Sequence, residues 1–151
     1  MKNTFLLLIL IGVVLGACKK SSPEDPKPAL TNTELLLARP WKLADVLVAG
    51  LGSVKDYEDV QAALGIFANS DLRFKADGTY TATSRTDGTV ENGTWEWAEN
   101  ETKLIINKGE SFERTFGKLL LNETNFNVSF PLVLPAPYTI FTSGEAQLVP
   151  A

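Results

Sequence analysis

The sequence predicts an all-β protein, a small antiparallel up-and-down barrel of about eight strands with one or two short helices. The segment "DLRFKADGTYTATS" has two runs of alternating apolar and polar residues around the pair Asp77-Gly78, which favours a hairpin turn. A second alternation, "NFNVSF", places Phe126, Val128 and Phe130 on one face. Such short runs recur at regular spacing. Because each strand has one apolar face, the meander must curl to bury it, and closure leaves no exposed edge.

Two helical segments are predicted ahead of these hairpins, on either side of a first strand. A helical turn or two begins near Thr33 and ends before Pro40. The run "WKLADVLV" (41–48) then predicts a strand. The segment "DYEDVQAALGIF" (56–67) predicts a short helix or an irregular lid, with Asp56 as its cap. Four residues lie on its predicted apolar face: Val60, Ala63, Leu64 and Phe67.

The second half of the chain reads as further strands. In "NGTWEWAEN", Trp95 and Trp97 share one face, while Thr94 and Glu96 share the other. Later strands are expected in "KLIIN", "SFERTFGKLLL", "PYTIFT" and "AQLV". Short turns join most of these runs, as expected for a meander.

Composition excludes several classes of function. The net charge is −4, from 18 acidic and 14 basic residues, and the basic residues are scattered, so nucleic acid is not expected as a partner. The chain has no histidine, which removes the commonest general base and the commonest transition-metal ligand. Its single cysteine, Cys18, excludes an internal disulfide framework and a cysteine-based zinc site.

No catalytic motif is recognisable, so the protein is expected not to be an enzyme and to need no metal or cofactor. Ser53 lacks the Gly-x-Ser-x-Gly frame of a nucleophile elbow, and no glycine-rich phosphate loop is present. The acidic residues around Asp56 and between Glu91 and Glu101 are expected on a solvated surface rather than in a catalytic pair.

The N-terminal segment indicates where the protein resides. Residues 1–17 combine a charged start at Lys2 with an apolar run shorter than the about 20 residues that a membrane span requires. The motif Leu15-Gly16-Ala17-Cys18 resembles the lipobox of bacterial lipoproteins. That resemblance implies signal cleavage before Cys18, attachment of diacylglycerol to its sulfur and acylation of the new N-terminus. Stable membrane anchoring needs two or more such lipid chains. An ordinary secretion signal followed by an unpaired cysteine is the alternative.

Three regions follow from this interpretation. Residues 1–17 form the signal peptide, 18–32 form the lipidated cysteine and a proline-rich tether, and 33–151 form the barrel domain. The proline-rich stretch "SSPEDPKP" forbids helix and favours an extended tether. The expected location is the bacterial outer membrane, held by the lipid anchor on the periplasmic face or at the cell surface.

The barrel region also carries a family resemblance. The order "WKL", "DLRFKADGTYT", "NGTWEW" and "TKLIIN" resembles the lipocalin-like domains of Bacteroidota lipoproteins, over roughly Thr33 to Ala151. The carrying motifs are a first-strand Trp41, an aromatic-x-x-Asp-Gly-x-Tyr hairpin and a Gly-x-Trp strand. The resemblance implies an eight-stranded barrel with a possible central cavity.

Aromatic residues provide the candidate ligand site. Eight are expected on inward faces, where they either fill the barrel or line a pocket: Phe74, Tyr80, Trp95, Trp97, Phe112, Phe116, Phe126 and Phe130. Arg114 shares strand parity with Phe112 and Phe116, so it either points inward, paired with Asp45, or reaches water at the rim. The candidate ligand-binding residues are Phe74, Tyr80, Trp95, Trp97, Arg114 and Phe126.

Two functions therefore remain open. One is a non-enzymatic, lipid-anchored envelope protein that binds a small apolar or amphiphilic ligand in the barrel. The other is a protein-interaction module, an accessory subunit or inhibitor, with a side-chain-filled barrel and no ligand. An enclosed cavity lined by Trp95, Trp97 and Arg114 would favour the first, and a filled barrel with exposed apolar loops would favour the second.

Overall fold

The computed structural model describes residues 28–132 and 143–151, and these form a closed antiparallel barrel with two short α-helices. The predicted signal peptide, Cys18, most of the tether and the predicted strand "PYTIFT" lie outside the described residues. The helices are α1 (Asn32–Leu37) and α2 (Glu58–Leu64), and a 3₁₀ helix (Gly65–Asn69) follows α2. The strands are β1 (Trp41–Val48), β2 (Gly52–Ser53), β3 (Ser70–Phe74), β4 (Thr79–Ser84), β5 (Val90–Ala98), β6 (Lys103–Ile106), β7 (Arg114–Leu121), β8 (Phe126–Pro131) and β9 (Ser143–Pro150).

Eight of the strands form the barrel wall, which confirms the predicted fold class. Strands β3 to β9 pair in chain order, β1 pairs with β3 on one side, and β9 returns to pair with β1 on the other. The two-residue strand β2 folds back onto the far end of β1 outside this ring. Each barrel strand therefore has a neighbour on both sides, as closure requires.

The predicted hairpin forms as the sequence indicates. Gly78 has a φ of 79°, a left-handed conformation that glycine adopts without steric cost. The backbone N–H and hydroxyl of Thr79 donate hydrogen bonds of 2.9 and 2.6 Å to Asp77 Oδ1. These hydrogen bonds lower the pKa of Asp77 and hold the turn. Phe74 and Tyr80 then face each other across β3 and β4.

Helix α1 covers one end of the barrel, which we call the N-terminal end. Thr31 caps the helix, and Thr31 and Glu34 exchange hydrogen bonds in a capping box. Leu36 is fully buried in the core, and the Trp41 indole Nε1–H donates a 3.0 Å hydrogen bond to its carbonyl oxygen. The helix thus begins at Asn32, inside the segment assigned to the tether.

The opposite end is crossed by α2 and the 3₁₀ helix, residues 58–69, which we call the helical cap. They lie between β2 and β3 in the chain. Val60 and Leu64 are buried in the barrel core, and Phe67 is partly buried against it, as the predicted apolar face requires. The predicted cap residue is wrong, because Tyr57 rather than Asp56 occupies the N-cap and makes no side-chain capping bond.

Candidate functional site

The interior of the barrel is almost filled by side chains. One cavity of about 30 Å³ lies among apolar side chains, including Phe74, Phe116 and Phe126. Ligand pockets usually measure about 300–1,000 Å³, roughly ten times this volume or more. The cavity has room for little more than one methyl group or water, and its apolar lining offers water no partner.

A larger cleft opens at the rim, between the helical cap and the ends of β5, β6 and β7, and we call it the rim cleft. Its volume is about 310 Å³, at the lower end of the range for small-molecule sites. Its apolar lining consists of Leu64, Ile66, Phe67 and Phe112. Its polar lining consists of Tyr80, Glu91, Asn107 and Arg114.

The predicted site residues separate into three groups. Phe74 and Phe126 line the inner cavity, whereas Tyr80 and Arg114 line the rim cleft. Trp95 and Trp97 line neither space. The structure therefore does not bring the six candidate residues into one pocket.

Trp95 and Trp97 hold the barrel wall. The Trp95 indole Nε1–H donates a 3.0 Å hydrogen bond to the Lys75 carbonyl oxygen, and the Trp95 ring packs edge-on against Phe74 with centroids 5.7 Å apart. Trp97 packs edge-on against Trp95, and the Lys118 ammonium lies 5.7 Å from a Trp97 ring centroid. Both tryptophans share one face, as predicted, and both serve packing.

The predicted inward orientation of Phe112 is wrong, and of the two alternatives for Arg114 the structure has the rim position. Strand β7 begins at Arg114, so Phe112 lies in the preceding loop and is 70% exposed. The Arg114 side chain is exposed at the rim and donates a 3.0 Å hydrogen bond to the Glu113 carbonyl oxygen. A guanidinium inside the barrel would need a buried partner, and the rim position leaves it hydrated instead.

The predicted partner of Arg114, Asp45, is also directed elsewhere. The pairing of β1 with β9 shifts between Leu43 and Asp45, which marks a bulge. Because of the bulge, the next buried residue of β1 after Leu43 is Val46 rather than Asp45. The Asp45 side chain therefore faces outward. Its Oδ1 accepts hydrogen bonds of 2.8 Å from the Val46 N–H and 2.5 Å from the Ser53 hydroxyl.

Tyr80 and Asn107 form the polar floor of the rim cleft. The Asn107 side-chain amide donates a 3.3 Å hydrogen bond to the Tyr80 hydroxyl oxygen. Burial raises the pKa of the Tyr80 phenol, the nearby carboxylates of Glu91 and Glu110 add to this rise, and the Asn107 bond opposes it. The phenol therefore stays protonated at neutral pH and can donate its own hydrogen to a ligand.

Asn107, Glu91 and the apolar residues Leu64, Ile66 and Phe67 are cleft residues that sequence patterns did not single out as ligand-lining. Asn107 has a positive φ of 53° where β6 ends, and no short motif marks it. Leu64 and Phe67 lie on the apolar face predicted for residues 56–67, but nothing in that pattern indicates that they border an open cleft.

Neither metal binding nor a membrane-crossing helix is visible in the described part of the chain. No group of three or more His, Cys, Asp or Glu side chains is placed there to hold a metal ion. Over residues 28–132 and 143–151, no helix has the length and apolar character to cross a bilayer.

Comparison with known proteins finds similarity in fold alone. No protein-family model matches the sequence, and no curated protein is significantly similar to it. A lipocalin-like protein from Bacteroides uniformis ATCC 8492 matches with a TM-score of 0.44 and 13% identity, over 77% of this chain and 99% of that one. A DUF4847 family protein from Bacteroides vulgatus ATCC 8482 matches with a TM-score of 0.43 and 14% identity, over 79% and 96%. These likenesses carry no argument about function, and the fold assignment rests on the strand pairing.

Proposed function

We propose that this protein is a lipid-anchored protein of the bacterial envelope whose barrel binds a small amphiphile in the rim cleft. The observation that carries the proposal is the contrast between a filled interior and a cleft of about 310 Å³ at the barrel mouth. The cleft combines apolar walls with a few polar groups, as small-molecule sites do. Binding inside the barrel, the narrower form of the prediction, is not supported by a cavity of about 30 Å³.

The apolar part of the cleft suits the tail of such a ligand. Phe112 is 70% exposed, and Ile66 and Phe67 are only partly buried. An apolar tail lying against these side chains would remove their surface from water, at about 25 cal/mol per Å². The ligand would thus cover Phe112, the most exposed aromatic side chain of the described residues.

The polar part suits an anionic head group. Within the described residues, no carboxylate lies within 4.0 Å of the Arg114 guanidinium, so the donors that do not bind the Glu113 carbonyl oxygen are available to a ligand. The Tyr80 hydroxyl adds a neutral hydrogen bond. Glu91 lines the same cleft and repels an anion, which limits the affinity.

The test compares Arg114→Gln with wild-type protein by calorimetric titration of decanoate and of decanol. We expect Arg114→Gln to weaken decanoate binding about threefold to tenfold, since the guanidinium is exposed, and to leave decanol binding unchanged. Glu91→Gln should strengthen decanoate binding by a factor of about two to five.

The matched control is Arg73→Gln, which removes an exposed arginine from the outer face of β3 and should leave both affinities unchanged. Equal losses for decanoate in both arginine variants would contradict a specific head-group contact. Weaker decanoate binding by Glu91→Gln would likewise oppose an anionic head group. Failure of the wild-type protein to bind either compound would remove the proposed function.

The anchor is tested separately through Cys18. Palmitate labelling of bacteria that express Cys18→Ser should give no labelled protein, and the uncleaved precursor should accumulate. Ser21→Ala, three residues further along the tether, is the control and should be labelled like the wild type. Labelling of Cys18→Ser at the wild-type level would refute the lipid attachment site.

The alternative, a protein-interaction module, is favoured by the nearly filled interior and by the exposed apolar residues at the same end of the barrel. Val90 and Phe112 are 53% and 70% exposed there. If the protein binds no amphiphile but Val90→Ser and Phe112→Ser abolish a crosslink to an envelope protein, the interaction module is the better account.

A further inference from the structure

The inner cavity and the rim cleft share part of their walls. Leu64 and Phe67, both from the helical cap, are the two residues that line both spaces. Leu64 is buried and belongs to the core, whereas Phe67 is only partly buried. The helical cap is therefore the partition between the outer cleft and the barrel interior.

The Phe67 ring connects the two sides of this partition. It lies 6.0 Å from the Tyr80 ring, which lines the cleft, and 5.6 Å from the Phe116 ring, which lines the cavity. The contact with Phe116 is edge-on, so the Phe67 side chain packs directly against a residue of the cavity wall. Truncating Phe67 would remove one of the two side chains that separate the spaces and leave Leu64 as the other.

We propose that Phe67 sets the length of the apolar tail that the rim cleft accepts, an inference that rests on the proposed function. Each methylene that enters the cleft leaves water and raises the affinity about fourfold. A tail long enough to reach the Phe67 ring cannot bury further methylenes, so the affinity stops rising with chain length. Phe67 is thus the residue that determines chain-length specificity.

The experiment measures affinity against chain length for Phe67→Ala and the wild-type protein. The probes are the straight-chain carboxylates hexanoate, octanoate, decanoate, dodecanoate and tetradecanoate, titrated calorimetrically into the intact protein. We expect the wild-type affinity to reach a plateau within the series. Phe67→Ala should move the plateau by at least two methylenes, so that its longest ligands bind about tenfold tighter or more.

Two control variants distinguish the effect of opening the partition from the effect of enlarging the cavity or the cleft alone. Ile106→Ala enlarges the cavity but leaves the partition, because Ile106 does not line the cleft, and should keep the wild-type plateau. Phe112→Ala alters only the cleft and should lower all affinities by a similar factor without moving the plateau. Phe67→Leu, a milder change that tests the same position if the alanine variant unfolds, should move the plateau by a smaller step.

The outcomes distinguish this inference from the proposed function. If the wild-type protein binds the carboxylates but Phe67→Ala and Phe67→Leu keep its plateau, the role of Phe67 is wrong and the cleft remains the binding site. A plateau shift in Ile106→Ala equal to that in Phe67→Ala would also overturn it. No binding by the wild-type protein would overturn both.

Discussion

Gly93 shows how the absence of one side chain shapes the cleft. It lies opposite Tyr80 in the pairing of β4 with β5. A Cβ atom at Gly93 would stand 2.5 Å from Tyr80 Cε1 and would also collide with Asn107 Oδ1. The missing side chain therefore lets the Tyr80 ring cross β5 and reach Asn107.

Gly93→Ala should therefore destabilise the protein by about 1–3 kcal/mol, because the Tyr80 ring and Asn107 must both move. Urea denaturation measures the change. Gly117→Ala is the control: its Cβ would collide with the Ser129 hydroxyl, a group that can rotate away, and would meet its other neighbours at ordinary contact distances, so a smaller loss is expected. A larger loss for Gly117→Ala would show that the Tyr80 crossing is not tightly packed.

The same residue explains why two sequence motifs occur together. The hairpin motif supplies Phe74 and Tyr80, and the Gly-x-Trp motif supplies Gly93 and Trp95. In the fold, the Trp95 ring packs on Phe74 while Gly93 accommodates Tyr80. The motifs from which a ligand site was predicted are therefore mainly the packing that holds β3, β4 and β5 together.

Helix α1 depends on a single deeply buried side chain. Leu36 is fully buried and accepts, through its carbonyl oxygen, the Trp41 indole hydrogen bond that joins the helix to β1. Helices of six residues are not stable alone, so tertiary contacts must hold α1 in place.

We expect Leu36→Ala to lower the free energy of unfolding by about 2–5 kcal/mol, the usual result of truncating a buried leucine. Leu35→Ala makes the same change one residue earlier in the helix, at a partly exposed position, and should lower it by less than about 1 kcal/mol. Chemical denaturation of both variants is the measurement. Equal losses of unfolding free energy in the two variants would mean that burial of Leu36 does not hold α1 against the core.

Elements with a strong local signal could be predicted from the sequence, and positions beyond a bulge could not. Strand β1 has the predicted bounds 41–48, and Phe126, Val128 and Phe130 alternate inward as predicted. A strand pattern assumes that faces alternate without interruption. The bulge after Leu43 breaks that alternation, so Asp45 turned outward against expectation.

The rim cleft could not be predicted from the sequence, because its walls come from segments that are distant along the chain. It forms where the helical cap approaches the ends of β5, β6 and β7, and nothing in local periodicity states how closely such segments meet. Phe112 and Arg114 were assigned to one continuous strand, whereas β7 begins at Arg114. Because the strand begins only at Arg114, both residues lie at the rim of the barrel.

At the scale of the whole molecule, closure of the ring protects strands that an open sheet would leave at its edges. Strand β9 pairs with β8 on one side and β1 on the other. In an open meander it would be an edge, with one row of backbone groups facing water. Among the described strands, only β2 lies outside the ring. It consists of two exposed residues that pair with β1.

Hydrogen exchange measured by mass spectrometry should show this directly. Amides of β9 are expected to exchange as slowly as those of β5, because both strands are paired on two sides. Amides of β2 and of the turn at 85–89 should exchange much faster. Exchange of β9 at the rate of that turn would indicate that the contact with β1 opens readily and that the barrel is closed only part of the time.

The pairing of β1 with β9 also sets the order in which the chain can fold. These strands come from opposite ends of the barrel sequence, and the Ala151 N–H donates a 3.1 Å hydrogen bond to the Pro40 carbonyl oxygen. A contact between such distant segments carries a large loop entropy and slows folding. During synthesis, β1 must wait for β9, so the ring stays open until the last strand emerges. Until β9 pairs with both, one backbone edge of β1 and one of β8 stay open to other chains, so the interval before closure is when this protein is most exposed to aggregation.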